Sequence, residues 1–344
     1  MIPFHLPGRL TASRESPGPT RRTVLGGLAC ALFARPAWAQ AEIRFRHVFG
    51  ETVLAKPAVR IVSLGFTTQD PLLALGVQPV AVRAWFGDQP ASIWPWAQPY
   101  LRGEAPAVIA GEVAMETVAS LRPDLIVAIG SGITQDEYAI LSQIAPTLMQ
   151  PPGAATYALP WDETTRLLGR ALGRDALAEE RIAETRRLFA EARARHPDWE
   201  GRSAAAAYHF GGETGAFTAE DTRGRFLSEL GFQIPQEIER LGGGHFYAGL
   251  SPEDLSPLDA DLLVWVSSLD AAPDLAALPM RRLLGAHREG REVFAGALTA
   301  GALSFGSVLS LPFALAQLEG DMALALDGDP ATAVPSAVRA GLAP

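Results

Sequence analysis

A chain of 344 residues with 48% hydrophobic and 19% charged residues is globular rather than disordered, and is long enough for two domains with their own cores. Its formal net charge of −9 argues against a sequence-independent nucleic-acid binder, which needs a basic field. Lys56 is the sole lysine among 29 basic residues, so an isolated arginine carries less functional weight here than usual.

The chain begins with a targeting pattern. Thr20-Arg21-Arg22-Thr23-Val24-Leu25 joins two arginines to an apolar stretch that runs to Phe33, and Ala37-Trp38-Ala39 puts small residues at the two positions a signal peptidase reads. Residues 1–39 are therefore expected to be a twin-arginine signal peptide, cleaved near Ala39, that sends the remainder to the periplasm. The apolar run is too short, and too interrupted by glycine, to span a membrane. Cleavage removes five arginines and one glutamate and takes the formal charge from −9 to −13. It also removes Cys30, the only cysteine, leaving neither a disulfide nor a thiolate metal site. Gly27-Leu28-Ala29-Cys30 resembles a lipid-attachment site only loosely and lies too close to the arginine pair, so a soluble product is expected.

Strands then alternate with helices, twice. Residues 60–64 read as a buried strand, and Thr67-Thr68-Gln69-Asp70-Pro71 supplies a polar cap and a proline that open a helix over 72–75, stopped by Gly76. A strand over 79–82, a helix over 115–121 and a strand over 124–129 follow, then the tight loop Gly130-Ser131-Gly132 and a helix over 135–144. This alternation predicts a parallel sheet covered by helices, assigned to a first lobe over 40–155. Residues 161–196 read as nearly continuous helix, within a linking region at 156–200. Ala178, Ile182, Thr185, Phe189 and Ala192 form one stripe there, and Glu191 and Arg195 make an i,i+4 pair. Some twenty helical residues reach about 30 Å, a strut between two lobes. A second α/β lobe at 201–326 is predicted from strands at 203–210, 262–266 and 291–294 and helices at 222–230 and 308–326. The alanine- and proline-rich tail, 327–344, reads as disordered.

These motifs resemble the helical-backbone periplasmic binding proteins of iron-siderophore, cobalamin and haem ABC importers. The likeness lies in Arg60-Ile61-Val62-Ser63-Leu64-Gly65 with Leu72-Leu73-Ala74-Leu75-Gly76-Val77, in Met115-Glu116-Thr117-Val118-Ala119-Ser120-Leu121-Arg122-Pro123-Asp124-Leu125-Ile126, and in Leu141-Ser142-Gln143-Ile144-Ala145-Pro146. It continues in Leu250-Ser251-Pro252-Glu253-Asp254-Leu255 with Asp259-Ala260-Asp261-Leu262-Leu263-Val264. Each motif is weak alone; the ordered set, spread over about 58–325 of this chain, is specific. Phe217-Thr218-Ala219-Glu220 before Phe226-Leu227-Ser228-Glu229-Leu230-Gly231 is similar to the iron(III)-hydroxamate branch in particular. The resemblance implies two Rossmann-like lobes on one rigid backbone helix, a shallow cleft between them that closes little, a ferric siderophore as cargo (hydroxamate-type favoured) and an ABC permease as partner. The protein itself supplies no metal ligand, because the iron stays inside its chelator, and a monomer is expected.

The resemblance also assigns residues. Glu116 and Glu253 match the family's paired glutamates that dock on permease arginines, one from each lobe, although a glutamate at a helix start is also common for its dipole alone. Open α/β sheets place ligands beyond the carboxyl ends of their strands. On that rule the cleft candidates are Arg83, Trp85, Trp94 and Ser131 from the first lobe, with Tyr208, Phe217, Arg223, His245, Tyr247, Trp265 and Phe305 from the second. Aromatic rings suit the skirts of a chelate and arginine suits its oxygens. The tryptophans also fit core packing, the histidines structural roles, and one of Arg223 and Arg225 a solvated charge. The hydroxamate pattern's first-lobe arginine falls near Ala110, its glycine-flanked tyrosine at Ser131, its second-lobe tryptophan near His245–Tyr247 and its late tyrosine at Phe305, so Arg83 and Tyr247 are the substitutes available. The rivals are cobalamin or haem as cargo, or a histidine-ligated metal ion. The last of these lacks support in five scattered histidines outside the signal. An enzyme is disfavoured: the chain has no nucleophile elbow, no His-x-x-x-His, and no Gly-x-Gly-x-x-Gly after its first strand.

Overall fold

Residues 42–266 and 272–343 are described by the computed structural model, all within the second of the two units, 1–40 and 41–344, into which the chain divides. The expected signal, with Arg21, Arg22 and Cys30, lies outside the described residues. The first element is a hairpin that the alternation of strands and helices did not announce: β1 (Ile43–His47) pairs antiparallel with β2 (Gly50–Leu54). Phe45, His47, Thr52 and Leu54 point inward at every second position. Thr52 ties the hairpin down by donating its hydroxyl to the Thr147 carbonyl at 2.5 Å.

The first large sheet takes the buried apolar runs as its centre. β3 (Ile61–Ser63), β4 (Ala81–Arg83), β5 (Ala107–Ile109), β6 (Leu125–Val127) and β7 (Thr147–Leu148) lie in the order β5-β4-β3-β6-β7, all parallel. The order reverses direction at β3, between β4 and β6, which opens a crevice beyond the carboxyl ends of these strands. α1 (Gln69–Ala74) follows β3, α2 (Met115–Ser120) precedes β6, and α3 (Gln135–Ile144) follows it. Thr134 and Glu137 close a capping box at the start of α3, each accepting from the other's backbone N–H.

The predicted run at 161–196 is two helices, α4 (Trp161–Ala171) and α5 (Asp175–Arg195), rather than one. Gly173 breaks it with φ of +63°, and a Cβ there would lie 2.8 Å from the Pro57 ring, so only glycine makes this turn. α5 is the strut. All five members of the predicted stripe are buried, but they serve different cores. Ala178 packs with first-lobe residues such as Leu72 and Leu125, whereas Ile182, Phe189 and Ala192 join the core that contains the second sheet. The expected Glu191–Arg195 pair is replaced by Arg187 on Glu191 and by Arg195 on Glu319, the latter through two hydrogen bonds of 2.7 and 2.8 Å. That second pair fastens α5 to the closing helix of the second lobe, which stiffens the link more than a pair within one helix does.

The second sheet is mixed. β8 (Ala204–Phe210), β9 (Glu213–Phe217), β10 (Tyr247–Leu250), β11 (Leu262–Val266) and β12 (Glu292–Ala295) lie in the order β10-β9-β8-β11-β12, with β9 antiparallel to both β8 and β10 and with β8, β11 and β12 parallel. α6 (Thr222–Glu229), α7 (Gln236–Gly242), α8 (Ala272–Ala276) and α9 (Gly285–Arg288) fill its connections, and α10 (Ala297–Phe305) and α11 (Ser310–Ala325) close the lobe.

The tail is not disordered. α12 (Pro335–Ala340) packs on β12, with Val334, Ala337 and Leu342 buried. The apolar residues of an alanine-rich stretch cover a sheet edge that would otherwise be open: Ser336 accepts the Phe294 N–H at 3.1 Å, and Arg281 donates to the Leu342 carbonyl at 2.7 Å. Ser336→Ala is expected to lower unfolding stability by about 1–2 kcal/mol, because the Phe294 N–H then stays buried without a partner. A denaturant titration checks this; a tail that made no contacts would leave the midpoint unchanged.

Candidate functional site

A cavity of about 320 Å³ opens between the lobes, in the size range of small-molecule sites. Its first-lobe wall comes from the turn after β3 and the segments after β4 and β6; its second-lobe wall comes from the start of α6 and the α10–α11 junction. Aromatic rings dominate. Trp85 stacks on Phe66 with centroids 5.6 Å apart and sits 5.6 Å from Phe305 across the cleft. Trp85 is 43% exposed, a large apolar face that the fold leaves uncovered. Tyr157, Trp161 and Phe246 complete the aromatic wall; Thr67 also lines it, as do Thr68, Ser304 and Ser307, whose hydroxyls donate to the Gly65 carbonyl, the Ala300 carbonyl and Asp70. Trp161 donates its indole N–H to Glu229 at 3.0 Å, and burial pushes that carboxyl above its usual range.

Beneath the cavity lies a buried carboxylate that spans the two lobes. Asp70, on α1, accepts from the Trp96 indole N–H at 2.7 Å and from the Ser307 hydroxyl, at the head of α11, at 2.6 Å, both on Oδ2. Its Oδ1 is buried with no partner among the described residues. Burial outweighs the two hydrogen bonds, and the carboxyl is pushed up to about 7. From sequence Asp70 is visible only as part of a helix cap, because nothing local reveals that Ser307 lies against it.

Nine of the eleven expected cleft residues fall into three groups. Trp85, Arg223 and Phe305 line the cavity. Phe217, Arg83 and Ser131 stand just behind it. Phe217 is buried under the Arg223 guanidinium, 3.8 Å from the ring centroid. Arg83 lies over Phe66 at 4.7 Å and donates to the Ser131 and Gly111 carbonyls at 2.8 and 3.3 Å, while the Ser131 hydroxyl is spent on Ala128. Tyr208, Tyr247 and His245 form a separate patch on the second lobe outside the cavity lining. Tyr208 packs on Phe217 and Tyr247, Tyr247 is exposed on β10, and the His245 carbonyl accepts from Thr218.

Two expectations are corrected. Trp265 is 1% exposed and points into the second-lobe core, where its indole N–H donates to Glu292 at 2.7 Å. Glu292 also takes two hydrogen bonds from Arg281 and one from His287, and such a buried network is disrupted by removal of any member. Trp94 is also buried. It stacks on Trp96 at 5.0 Å and meets Phe305 edge-on, so it supports the wall from behind. Gly301 of α10 makes this possible: a Cβ there would come within 2.6 Å of the Trp94 ring.

The residues that sequence reading missed are Phe66, Tyr157, Trp161 and Asp221. Phe66 had a usable signal, since it lies in the turn just after β3. Asp221 had another, an aspartate two residues before an arginine at a helix start; Tyr157 sits in an irregular segment with none.

Glu116 and Glu253 are both exposed, and neither forms an ion pair with a described residue. Glu116 lies in the first turn of α2, as expected. Glu253 opens no α-helix. It occupies a turn whose geometry is held by its own N–H on the Ser251 hydroxyl at 3.3 Å, so the helix-dipole explanation does not apply to it. Among the described residues no group of three His, Asp or Glu side chains is placed to hold a metal ion, and no helix is long and apolar enough to cross a membrane.

Comparison with known proteins adds the family. The family model described as "Periplasmic binding protein" matches residues 61–291. A periplasmic solute binding protein from Mycobacterium smegmatis is 34% identical, with a TM-score of 0.74 over 83% of this chain and 99% of that one. The probable siderophore-binding lipoprotein YfiY of Bacillus subtilis is 29% identical over 64% of this chain and 67% of its own length. The crystal structure of PiaA from Streptococcus pneumoniae in complex with ferrichrome, 21% identical, superposes with a TM-score of 0.70 over 83% of this chain and 99% of that one, a likeness of fold.

Proposed function

This chain belongs to the periplasmic binding protein family, and from that premise we propose that it is the exported solute-binding component of an ABC importer, capturing a ferric siderophore and delivering it to the membrane permease. One observation carries the reading: a cleft between two lobes, fixed by α5 and walled by Phe66, Trp85, Tyr157 and Phe305, presents the broad aromatic face that a chelate's organic skirt requires. It is a binding role, without chemistry. The relatives YfiY and FepB, respectively a probable siderophore-binding and a ferric enterobactin-binding protein, support the cargo class. Hydroxamate chelates are favoured because the cleft lining offers little free charge. The iron arrives and leaves inside its chelator.

Export by the twin-arginine route, a monomeric state, and docking through Glu116 and Glu253 belong to the same proposal. Two exposed carboxylates without internal partners suit a basic permease surface. The cargo assignment is tested by calorimetric titration with ferrated chelates, iron-free chelates, haem, cobalamin and bare zinc. Saturable heat with a ferrated chelate alone is expected; saturation by zinc, haem or cobalamin instead would replace the reading.

Trp85 supplies the largest uncovered ring. Trp85→Ala is expected to weaken chelate binding about tenfold or more, the loss of one aromatic contact with its buried area, with the melting temperature unchanged. Intrinsic fluorescence titration measures it, and an unaltered affinity would remove Trp85 from the site.

A further inference from the structure

The cleft wall carries one charge of each sign. Among the described residues that line it, Asp221 and Arg223 alone carry charge, and they cancel. The pair is held rigidly. Arg223 donates from Nε to Asp221 Oδ1 at 2.6 Å and from Nη2 to Oδ2 at 2.8 Å, a two-pronged contact. The same Oδ1 caps α6 by accepting the Arg223 backbone N–H at 2.8 Å, and Nη1 lies 3.4 Å from the Ser304 hydroxyl. With the Phe217 ring on its other face, the guanidinium has no freedom to swing away from its carboxylate. The other nearby cation, Arg83, is turned onto two backbone carbonyls behind the wall.

We propose that Asp221 is a charge filter: by neutralising Arg223 at the cleft wall, it sets the site to accept uncharged ferric chelates such as trihydroxamates and to turn away polyanionic ones such as tricatecholates. This rests on the reading that the cleft holds a ferric chelate. A lone arginine in a partly desolvated cleft attracts anions; the same arginine with a fixed carboxylate presents directional N–H donors without net charge. Donors of that kind suit the carbonyl edges of a neutral complex. Discrimination comes from what the site repels as much as from what it holds.

Asp221→Asn tests this with little structural cost, because asparagine caps a helix as well as aspartate does and has nearly the same shape. Fluorescence titrations compare ferrioxamine E, a neutral ferric trihydroxamate, with ferric enterobactin, a trianionic tricatecholate, at low and physiological salt. The unaltered protein is expected to prefer the trihydroxamate by about a hundredfold or more. D221N is expected to gain about tenfold or more for the tricatecholate relative to the trihydroxamate, most strongly at low salt. The reverse variant, Arg223→Gln, uncovers the carboxylate and is expected to favour the cationic ferrioxamine B over ferrioxamine E. An unaltered protein that takes the tricatecholate as readily as the trihydroxamate overturns the filter, as do equal shifts for both chelates in D221N. Failure to bind any ferric chelate defeats the functional reading itself, and the filter with it.

Discussion

Cells carrying Glu116→Lys and Glu253→Lys together are expected to lose uptake of the ferric chelate altogether, while the purified double variant binds it with unchanged affinity. The two residues sit on different lobes, Glu116 at the start of α2 and Glu253 in the turn after β10, and both project into solvent without an internal partner. Neither lies in the cleft lining, so their replacement leaves the cargo site intact. Against a permease surface that presents cations, one reversal turns an attraction into a repulsion, and two reversals on opposite ends of the contact remove both steering and register. Each single variant is expected to transport at a reduced rate. Uptake at the normal rate in the double variant would show that the importer engages another surface.

The second large effect concerns Asp70. Its carboxyl is pushed up to about 7 by burial, above the unfolded value near 4. The folded state therefore binds the Asp70 proton more tightly than the unfolded state does. The stability this contributes is fully present below the unfolded value and is lost as pH rises from about 4 to about 7. Asparagine cannot ionise. The stability of Asp70→Asn minus that of the unaltered protein is thus expected to rise across this window by up to about 4 kcal/mol, and to be level above it. Urea melts at several pH values read this difference directly. Subtracting the two curves removes every group they share, together with any constant cost of the amide. A difference that stays flat would mean that water reaches Oδ1 and the carboxylate is not truly buried. Because Asp70 joins α1 to Ser307 of the opposite lobe, the same residue also bears on how firmly the floor of the cleft is closed.

Much of the architecture was legible in the residues. The runs around Ile61–Ser63, Leu125–Val127 and Leu262–Val266 are buried on both faces, so their apolar continuity announces strands. The helix Gln135–Ile144 starts where its capping box requires. The stripe of α5 could be read because a helix packed on one side keeps a strict spacing. What escaped was set by distant partners. The β1–β2 hairpin is too short to show its pattern, the antiparallel strands β9 and β10 are alanine- and glycine-rich, and the tail is ordered by Phe294 and Arg281, far away in the chain.

The site followed the same division. Of the expected residues that line the cavity, Trp85 follows β4 and Arg223 opens α6, where an open sheet puts its ligand, whereas Phe305 ends α10 and was suggested by the resemblance. Trp265 shows where that rule fails. It lies within β11, with its side chain on the inner face, and the partner that claims it, Glu292, belongs to the neighbouring strand. Trp94 misled for a similar reason, since only the glycine at 301 opens the space that takes its ring. A ring's size is visible in sequence, but whether it is wall or core depends on what stands opposite.

A crystal structure of the protein loaded with a ferric trihydroxamate tests the central claim most directly. The expected result is a chelate lying between Trp85 and Phe305, its iron coordinated wholly by hydroxamate oxygens, with the lobes held by α5 in the arrangement seen without cargo. A protein side chain bound to the iron, or lobes swung together around a bent α5, would contradict it.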